Sequence, residues 1–389
     1  MVLRRWAAQT ASERQRFLKR ARLLVIGPTP PPYFGPALST QTILSSPLLD
    51  QFEVLHLDTS DRRSPHTINT LDGENVRLAL LHGARFVELL RTRRPHLVYL
   101  PISQAPLGYL RDCLFLLPAR LLGVRTVVHL RGGAFQQFYR SSTLWLRSLI
   151  RFSLSGVRRA IVLTPRLRSE FAGLVPAARV SVVPNGVVDL RAAATALDKA
   201  PGAPLQTLFL SNMRAKKGPR VAQQAALEAL RHHPTLRFVF AGAWESESMR
   251  EAFLQPFRSA GFHERVACLD SIHGEAKTRL MLASDIFLMT PIAPEGQPRV
   301  LLEAMCFALP IVATDQGGIS ETVEDGANGF VVPSGDPLAV AQRVLQLAND
   351  PDLRRGMAQS SRQRYLNHFT AEASNQRLAT ELVEVLRER

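Results

Sequence analysis

The chain has 389 residues, 46% of them hydrophobic and 21% charged, a globular composition in a length that suits two hydrophobic cores rather than one. No run approaches the ~18–20 uncharged apolar residues of a spanning helix, and the opening stretch MVLRRWAAQTASERQRFLKRAR carries charge throughout, unlike a secretory signal. The formal charge of +15 is unevenly placed: residues 1–190 hold 26 Lys+Arg against 11 Asp+Glu, whereas residues 191–389 hold 22 of each.

All but one of those 26 cations are arginines, the exception being Lys19, and the planar guanidinium fork suits phosphate and carboxylate. An anionic partner for the first half is therefore expected: a membrane surface, a phosphorylated acceptor or nucleic acid. No nucleic-acid recognition motif accompanies the arginines, so nucleic acid is the weakest of the three. Cys113, Cys268 and Cys306 are far apart in apolar stretches, the pattern of reduced, packed thiols in a cytoplasmic protein.

In chain order, the basic leader 1–22 is followed by ARLLVIGPTPPP, a buried strand ending in a turn. FEVLHLD, PHLVYLPI, RTVVHLRG, RAIVLTP and ARVSVVPNG repeat the pattern of a short β-rich run closed by Gly, Pro or Asp. Between them lie stretches such as GENVRLALLHGARFVELLRTR with apolar residues at three- and four-residue spacing. The segment 191–204, RAAATALDKAPGAP, reads as a linker. Alternation restarts with LQTLFLSN and runs through LRFVFAGA, RVACLDS, DIFLMTP, PIVATD and NGFVVP, before three closing helices. Strand and helix in alternation predict parallel sheets covered on both faces.

Two doubly wound α/β domains are thus expected: residues 1–190, then 205–372, with a final helix over 373–389 packing back on the first. Ligands of such sheets bind just outside the carboxyl ends of the strands, which these domains would set facing each other across a cleft.

Two stretches carry the chemistry. SNMRAKKGPR, 211–220, follows a strand and precedes a helix, so the first helical amides and Lys217 favour an anion there. It is not GxxxxGK[ST], which excludes a P-loop, and no strand is followed by the GxGxxG of a dinucleotide oxidoreductase. PEGQPRVLLEAMCFALPIVATDQGG, 294–318, places Glu295 on a loop and Glu303 in the second turn of the next helix. Carboxylates accept from vicinal hydroxyls, so two of them beside an anion site suit a sugar on either side of a diphosphate. The alternative is a surface Glu295 and a buried Glu303 bonded to an amide. The only D-x-D, Asp350-Pro351-Asp352, reads as a helix N-cap followed by proline, so no catalytic metal and no other cofactor is expected.

The second stretch resembles the EG(F/Q)(G/P)xxxxEAMAxGxPVVATxxGGxxE signature of the retaining glycosyltransferases of family 4, which have the GT-B fold of two Rossmann-like domains. IGPTPPPYFG, HLRGG, VVPNGV, FLSNMRAKKG, FAGAW and GANGFVVPSGD match other family segments in order, over about residues 22–370. The resemblance implies transfer of a hexosyl group from a nucleoside-diphosphate sugar to a hydroxyl acceptor, a glycan or glycolipid. A place at the inner face of a membrane is suggested instead by the basic leader and by FQQFYRSSTLWLRSLIRFSLSG, which mix arginines with aromatic and leucine side chains. The resemblance also implies the roles. Glu295 would contact hydroxyls of the transferred sugar. The backbone of Gly296, Gln297, Pro298, Arg299, Val300 and Leu301 would approach sugar and phosphates, and Glu303 would hold the ribose. Lys217 would neutralise the leaving diphosphate, His129 would stand near the reacting carbon, and Gly35 would let the first loop pass the phosphates.

Three departures stand out. The family's phosphate-gripping arginine falls on Asn212, with Arg214 a substitute two residues on. Gly35 is followed by Pro36 rather than by a second glycine, which removes an amide donor. Arg299 stands where the signature is commonly apolar, and reads either as an added cation at the phosphates or as a solvent-facing side chain. These keep a second reading in view, a sugar-nucleotide-binding protein without turnover.

Overall fold

The computed structural model describes residues 21–31, 35–63, 72–192 and 203–388. The basic leader up to residue 20, most of the 191–204 linker and the tip of the first loop lie outside those residues. The chain groups into two compact units, Met1–Asn185 with Glu372–Arg389, and Gly186–Ala371.

The first unit contains β1 (Arg22–Gly27), α1 (Gly35–Leu44), β2 (Glu53–Asp58), α2 (Gly73–Thr92), β3 (Leu97–Ile102), α3 (Pro106–Leu121), β4 (Arg125–Leu130), α4 (Phe135–Ser141), α5 (Leu144–Ser155), β5 (Arg159–Val162) and β6 (Val180–Val182). Its six strands are parallel, in the order β2-β1-β3-β4-β5-β6. Parallel strands are buried on both faces and so read as continuous apolar runs, and β1 illustrates it. Leu24 and Ile26 join the cluster with Phe86, Phe115 and Ile150, whereas Leu23 and Val25 face the opposite cluster with Tyr99 and Val127. Asp72 starts α2 by accepting from the Asn75 amide at 2.8 Å.

The second unit contains β7 (Leu205–Leu210), α6 (Pro219–His232), β8 (Leu236–Ala241), α7 (Glu247–Ser259), β9 (Val266–Leu269), α8 (Gly274–Ala283), β10 (Ile286–Met289), α9 (Arg299–Cys306), β11 (Ile311–Thr314), α10 (Ile319–Thr322), β12 (Gly329–Val332), α11 (Pro337–Asn349) and α12 (Pro351–His368). Its parallel order is β12-β11-β10-β7-β8-β9. The Asp350 carboxylate accepts from the Leu353 amide at 2.9 Å and Pro351 takes the first helical position, the cap that the D-P-D sequence predicts. The last helix, α13 (Ala371–Arg387), sets Leu378, Leu382 and Val385 into the first unit's core with Leu23, Val25 and Tyr99. Its carboxyl end is tied there by Glu388 to Arg125 and Arg159. Cys113, Cys268 and Cys306 are all unpaired.

The stretch that opens the second unit is fastened to α12. Asp189 accepts from both terminal nitrogens of Arg362, at 2.9 and 2.6 Å, and the Tyr365 hydroxyl donates to Val187 O at 2.9 Å. The Arg362 bond holds the Asp189 carboxyl down at about 2. A depressed carboxyl stabilises the fold above its ordinary value near 4 and loses that contribution as pH falls through about 2. Asp189→Asn is therefore expected to lower the melting temperature by roughly 3–6 °C at pH 7. In calorimetric scans the gap from the parent protein should close between pH 4 and pH 2, and a gap constant to pH 2 would contradict this assignment.

Candidate active site

In the second sheet the strand order reverses between β7 and β10, and the segments leaving those two strands carry the predicted donor residues. After β7 the chain makes one 3-10 turn, Ala215–Lys217, and Gly218 in a left-handed conformation (φ 69°) turns it into α6. After β10 the next loop is bonded to it: Thr290 Oγ1 donates to Gly218 O at 2.9 Å and the Ile292 amide to Lys216 O at 3.0 Å. A Cβ on Gly218 would lie 1.7 Å from Thr290 O, so only glycine permits this approach. The two loops form one framework with Lys217 on one side and Glu295 on the other. Lys217 Nζ donates to Glu295 Oε1 at 2.7 Å, both side chains about four-fifths buried.

A third segment supports Glu295 from behind. The Gly318 amide donates to Glu295 O and Gly296 O, both at 3.1 Å, and a Cβ on Gly317 would stand 1.8 Å from Glu295 O. The buried Gln297 donates to Thr322 Oγ1 at 3.3 Å, and that hydroxyl donates to Gly318 O at 2.8 Å. The paired glycines of the DQGG sequence are thus the seat of the Glu295 loop.

The helix α9 begins at Arg299, with Pro298 before it and no side chain bonded to its first amides. Glu303 is in its second turn, as expected, and Oε2 lies 2.5 Å from Lys277 Nζ of α8. Lys277 is a residue that sequence reasoning did not single out. Its partner is 26 positions away and on a different helix, so no local spacing announces it. Arg299 neither faces solvent nor turns to the anion site: NH1 donates to Gly186 O at 3.0 Å. Val300 is half-buried and Leu301 buried, while Asn212 and Arg214 are exposed in the loop after β7. Gly35 opens α1 of the first unit, and a Cβ there would meet nothing within 4 Å, so no neighbour among the described residues requires glycine at that position.

His129 is also in the first unit, at the penultimate position of β4, and only 1% exposed. Arg131 donates to Asn185 Oδ1 at 2.5 Å and to the Tyr99 hydroxyl at 2.9 Å, and that hydroxyl lies 2.8 Å from His129 Nδ1. With its oxygen accepting from Arg131, Tyr99 donates its proton to Nδ1, which places the imidazole proton on Nε2. Burial first, and then the Arg131 charge, push the ring's pKa well below its ordinary value. His129 is therefore a neutral donor through Nε2 rather than a proton acceptor, and that atom is buried without a hydrogen-bond partner among the described residues.

Two family models match the chain in succession: residues 45–186 match the Glycosyl transferase 4-like domain, and residues 198–364 match Glycosyl transferases group 1. Together they take in most of both units. The chain belongs to the group 1 glycosyltransferases of family 4.

The proteins it is similar to include the D-inositol 3-phosphate glycosyltransferase of Nocardia farcinica, 32% identical over 191 residues, which cover 46% of this chain and 42% of that one. The chain spans about half the length of the curated relatives it matches. Among solved structures, a glycosyltransferase from Rickettsia africae superposes with a TM-score of 0.72 at 16% identity, covering 95% of this chain and 100% of that one. Anabaena HepE in complex with UDP-glucose does so at 0.70 and 18% identity, covering 93% and 99%. These likenesses give the GT-B fold of two parallel, doubly wound units.

Proposed function

We propose that the protein is a retaining glycosyltransferase that moves a hexosyl group from a nucleoside-diphosphate sugar to a hydroxyl acceptor in cell-envelope polysaccharide or glycolipid synthesis. The observation that carries this reading is the 2.7 Å pair of Lys217 and Glu295 on two interlocked loops at the switch point of the second sheet, where ligands of such sheets bind. An ammonium has three donors, so Lys217 can keep Glu295 and still meet a diphosphate. Glu295 and Glu303 each retain an oxygen for a hydroxyl. In this proposal the charge that develops on the leaving diphosphate is met by Lys217 and by the uncapped amides of α6 and α9, with no divalent metal or other cofactor required. The sugar passes through an oxocarbenium-like transition state, and the leaving phosphate takes the acceptor's proton. Retention of configuration follows from the family analogy, and the UDP-glucose held by the HepE structure supports a donor of that class.

The proposal includes an anionic membrane surface as a peripheral, cytoplasmic-side partner. From Cys113 to Ser169 the sequence has ten arginines and no acid. There α5 exposes Leu144 (79%), Trp145 (59%) and Phe152 (52%), a pairing of cations with interfacial apolar side chains that suits anionic lipid. No described helix is long and apolar enough to cross a membrane.

A thermal-shift screen against UDP-, GDP- and ADP-glucose tests the donor reading. One donor at about 100 times its Kd should stabilise by about 2.7 kcal/mol, or roughly 5–10 °C. Lys217→Ala should suppress the shift. No shift with any of the three at millimolar concentration would end the proposal.

A further inference from the structure

The first sheet has a switch point of its own, between β1 and β3, and a cavity of about 490 Å³ opens there. Gly27 and Pro28 at the carboxyl end of β1 and Ile102 and Ser103 at that of β3 line it, together with residues of α2 and α3. Its polar lining is Thr59, Asp61, Asn75, His82, Ser103, Arg111 and Arg131; the Asp61 carboxylate is held by Arg63 at 2.8 Å, and Arg111 gives Nε and one terminal nitrogen to Asp112. The apolar part of its walls is Val76, Ala79, Leu80, Leu110, Leu114 and Phe115.

A second cavity, of about 680 Å³, continues between the same two helices. Leu80 and Leu114 line both, so the two spaces adjoin across those side chains. The second is walled by Gly83, Ala84, Val87, Cys113, Leu117 and Pro118, and charge returns only at Glu88 and Arg91. From Asn75 to Arg91 along α2 is roughly 24 Å at 1.5 Å per residue. Soluble surfaces seldom leave large side chains unpartnered in a row, yet Val76 (46%), Leu80 (61%) and Leu107 (39%) are exposed along this trough.

The first cavity thus mixes guanidinium, carboxylate, imidazole, hydroxyl and amide groups with apolar walls, and the second is a furrow walled almost entirely by apolar side chains. A free oligosaccharide would leave the furrow wet and its own hydroxyls unbonded against leucine. A single-chain amphiphile with an anionic head matches it at both ends. We infer that this trough binds the hydrocarbon chain of an amphiphilic acceptor, with the phosphate-bearing or otherwise anionic head at Arg111 and Arg131. The inference rests on the glycosyl-transfer reading for the word acceptor, while the binding site stands on the first unit's own geometry. The link to the chemistry is Arg131, which lines the cavity and also holds the Tyr99 hydroxyl that orients His129.

The test uses the full chain and a series of butyl, octyl and dodecyl phosphate below their micelle concentrations, with inorganic phosphate as the headgroup alone, measured by titration calorimetry. Affinity should rise about two- to fourfold for each methylene buried, and inorganic phosphate should bind far more weakly than dodecyl phosphate. Ala79→Trp, which fills the cavity, and Leu80→Glu, which puts a charge on an exposed wall, should each weaken dodecyl phosphate at least about tenfold. Leu81→Glu, on the same helix but lining neither cavity, should leave it unchanged. Affinity independent of chain length would overturn the inference, as would equal losses at positions 80 and 81, the sign of non-specific adsorption. A donor-induced thermal shift without chain-length dependence would remove this inference and leave the transferase reading standing. Chain-dependent binding without any donor shift would do the reverse.

Discussion

Lys217→Ala is expected to lower kcat/KM for glycosyl transfer by about 10²–10³, the loss typical of removing one donor aimed at developing charge. Turnover would be followed as nucleoside diphosphate released from the donor that the thermal screen selects. The size of the effect has two sources. The cation that faces the leaving diphosphate is gone, and the Glu295 carboxylate, 16% exposed and 2.7 Å from Nζ in the intact protein, is left unpaired beside an anionic ligand. A largely buried carboxylate without its partner repels a diphosphate across low-dielectric surroundings far more than an exposed one would.

This second source makes the pair separable by a double-mutant cycle. Glu295→Gln keeps an acceptor for a sugar hydroxyl and should reduce turnover with a modest change in donor Kd. Added to Lys217→Ala, it should restore part of the donor affinity, because the repelling charge has been removed. A coupling energy of about 1–2 kcal/mol in donor binding is expected for groups in direct contact. Additive losses would mean that Lys217 and Glu295 act on the donor independently, and the interlocked-loop picture of the site would then be wrong.

How far the sequence revealed this arrangement depends on how local each signal is. The strands were legible because burial on both faces makes each parallel strand a nearly unbroken apolar run, and RLLVIG, LVYLPI and RTVVHL are such runs. Asp350 was legible as a cap because the carboxylate, the proline and the amide it accepts from lie within four residues. Glu295 and Glu303 were legible because a loop and the next helix keep their order. Lys277 was not, since its meeting with Glu303 depends on how α8 and α9 pack. Nor was the state of His129: its tautomer is set by Tyr99 on the neighbouring strand and by Arg131 two residues beyond it, a relation that exists only once β3 and β4 are in register. Arg299 shows the converse. Read as a cation near the phosphates or toward solvent, it instead serves the backbone at Gly186, a partner 113 residues away.

The Lys217 loop turns on a glycine that no other residue can replace without strain, and Gly218→Ala is expected to destabilise the second unit by more than about 3 kcal/mol, or roughly 10 °C. Two costs add. At φ 69° an alanine carries the left-handed penalty of about 1–2 kcal/mol, and its Cβ would press to within 1.7 Å of Thr290 O. That carbonyl belongs to backbone, not to a flexible side chain, so relief requires parting the two loops and breaking the bonds from Thr290 Oγ1 to Gly218 O and from Ile292 N to Lys216 O. Gly261 supplies the control. It has φ 74° in the same unit, but a Cβ there would meet nothing within 4 Å, so Gly261→Ala should cost only the conformational part. Thermal melts of the two variants isolate the clash as their difference. Donor binding should be lost in Gly218→Ala even well below its melting temperature, because parting the loops carries Lys217 away from Glu295, whereas Gly261→Ala should bind as the parent does. Equal destabilisation by the two substitutions would show that the loops yield without cost, and a lysine on so pliant a support could not hold a fixed charge beneath a diphosphate.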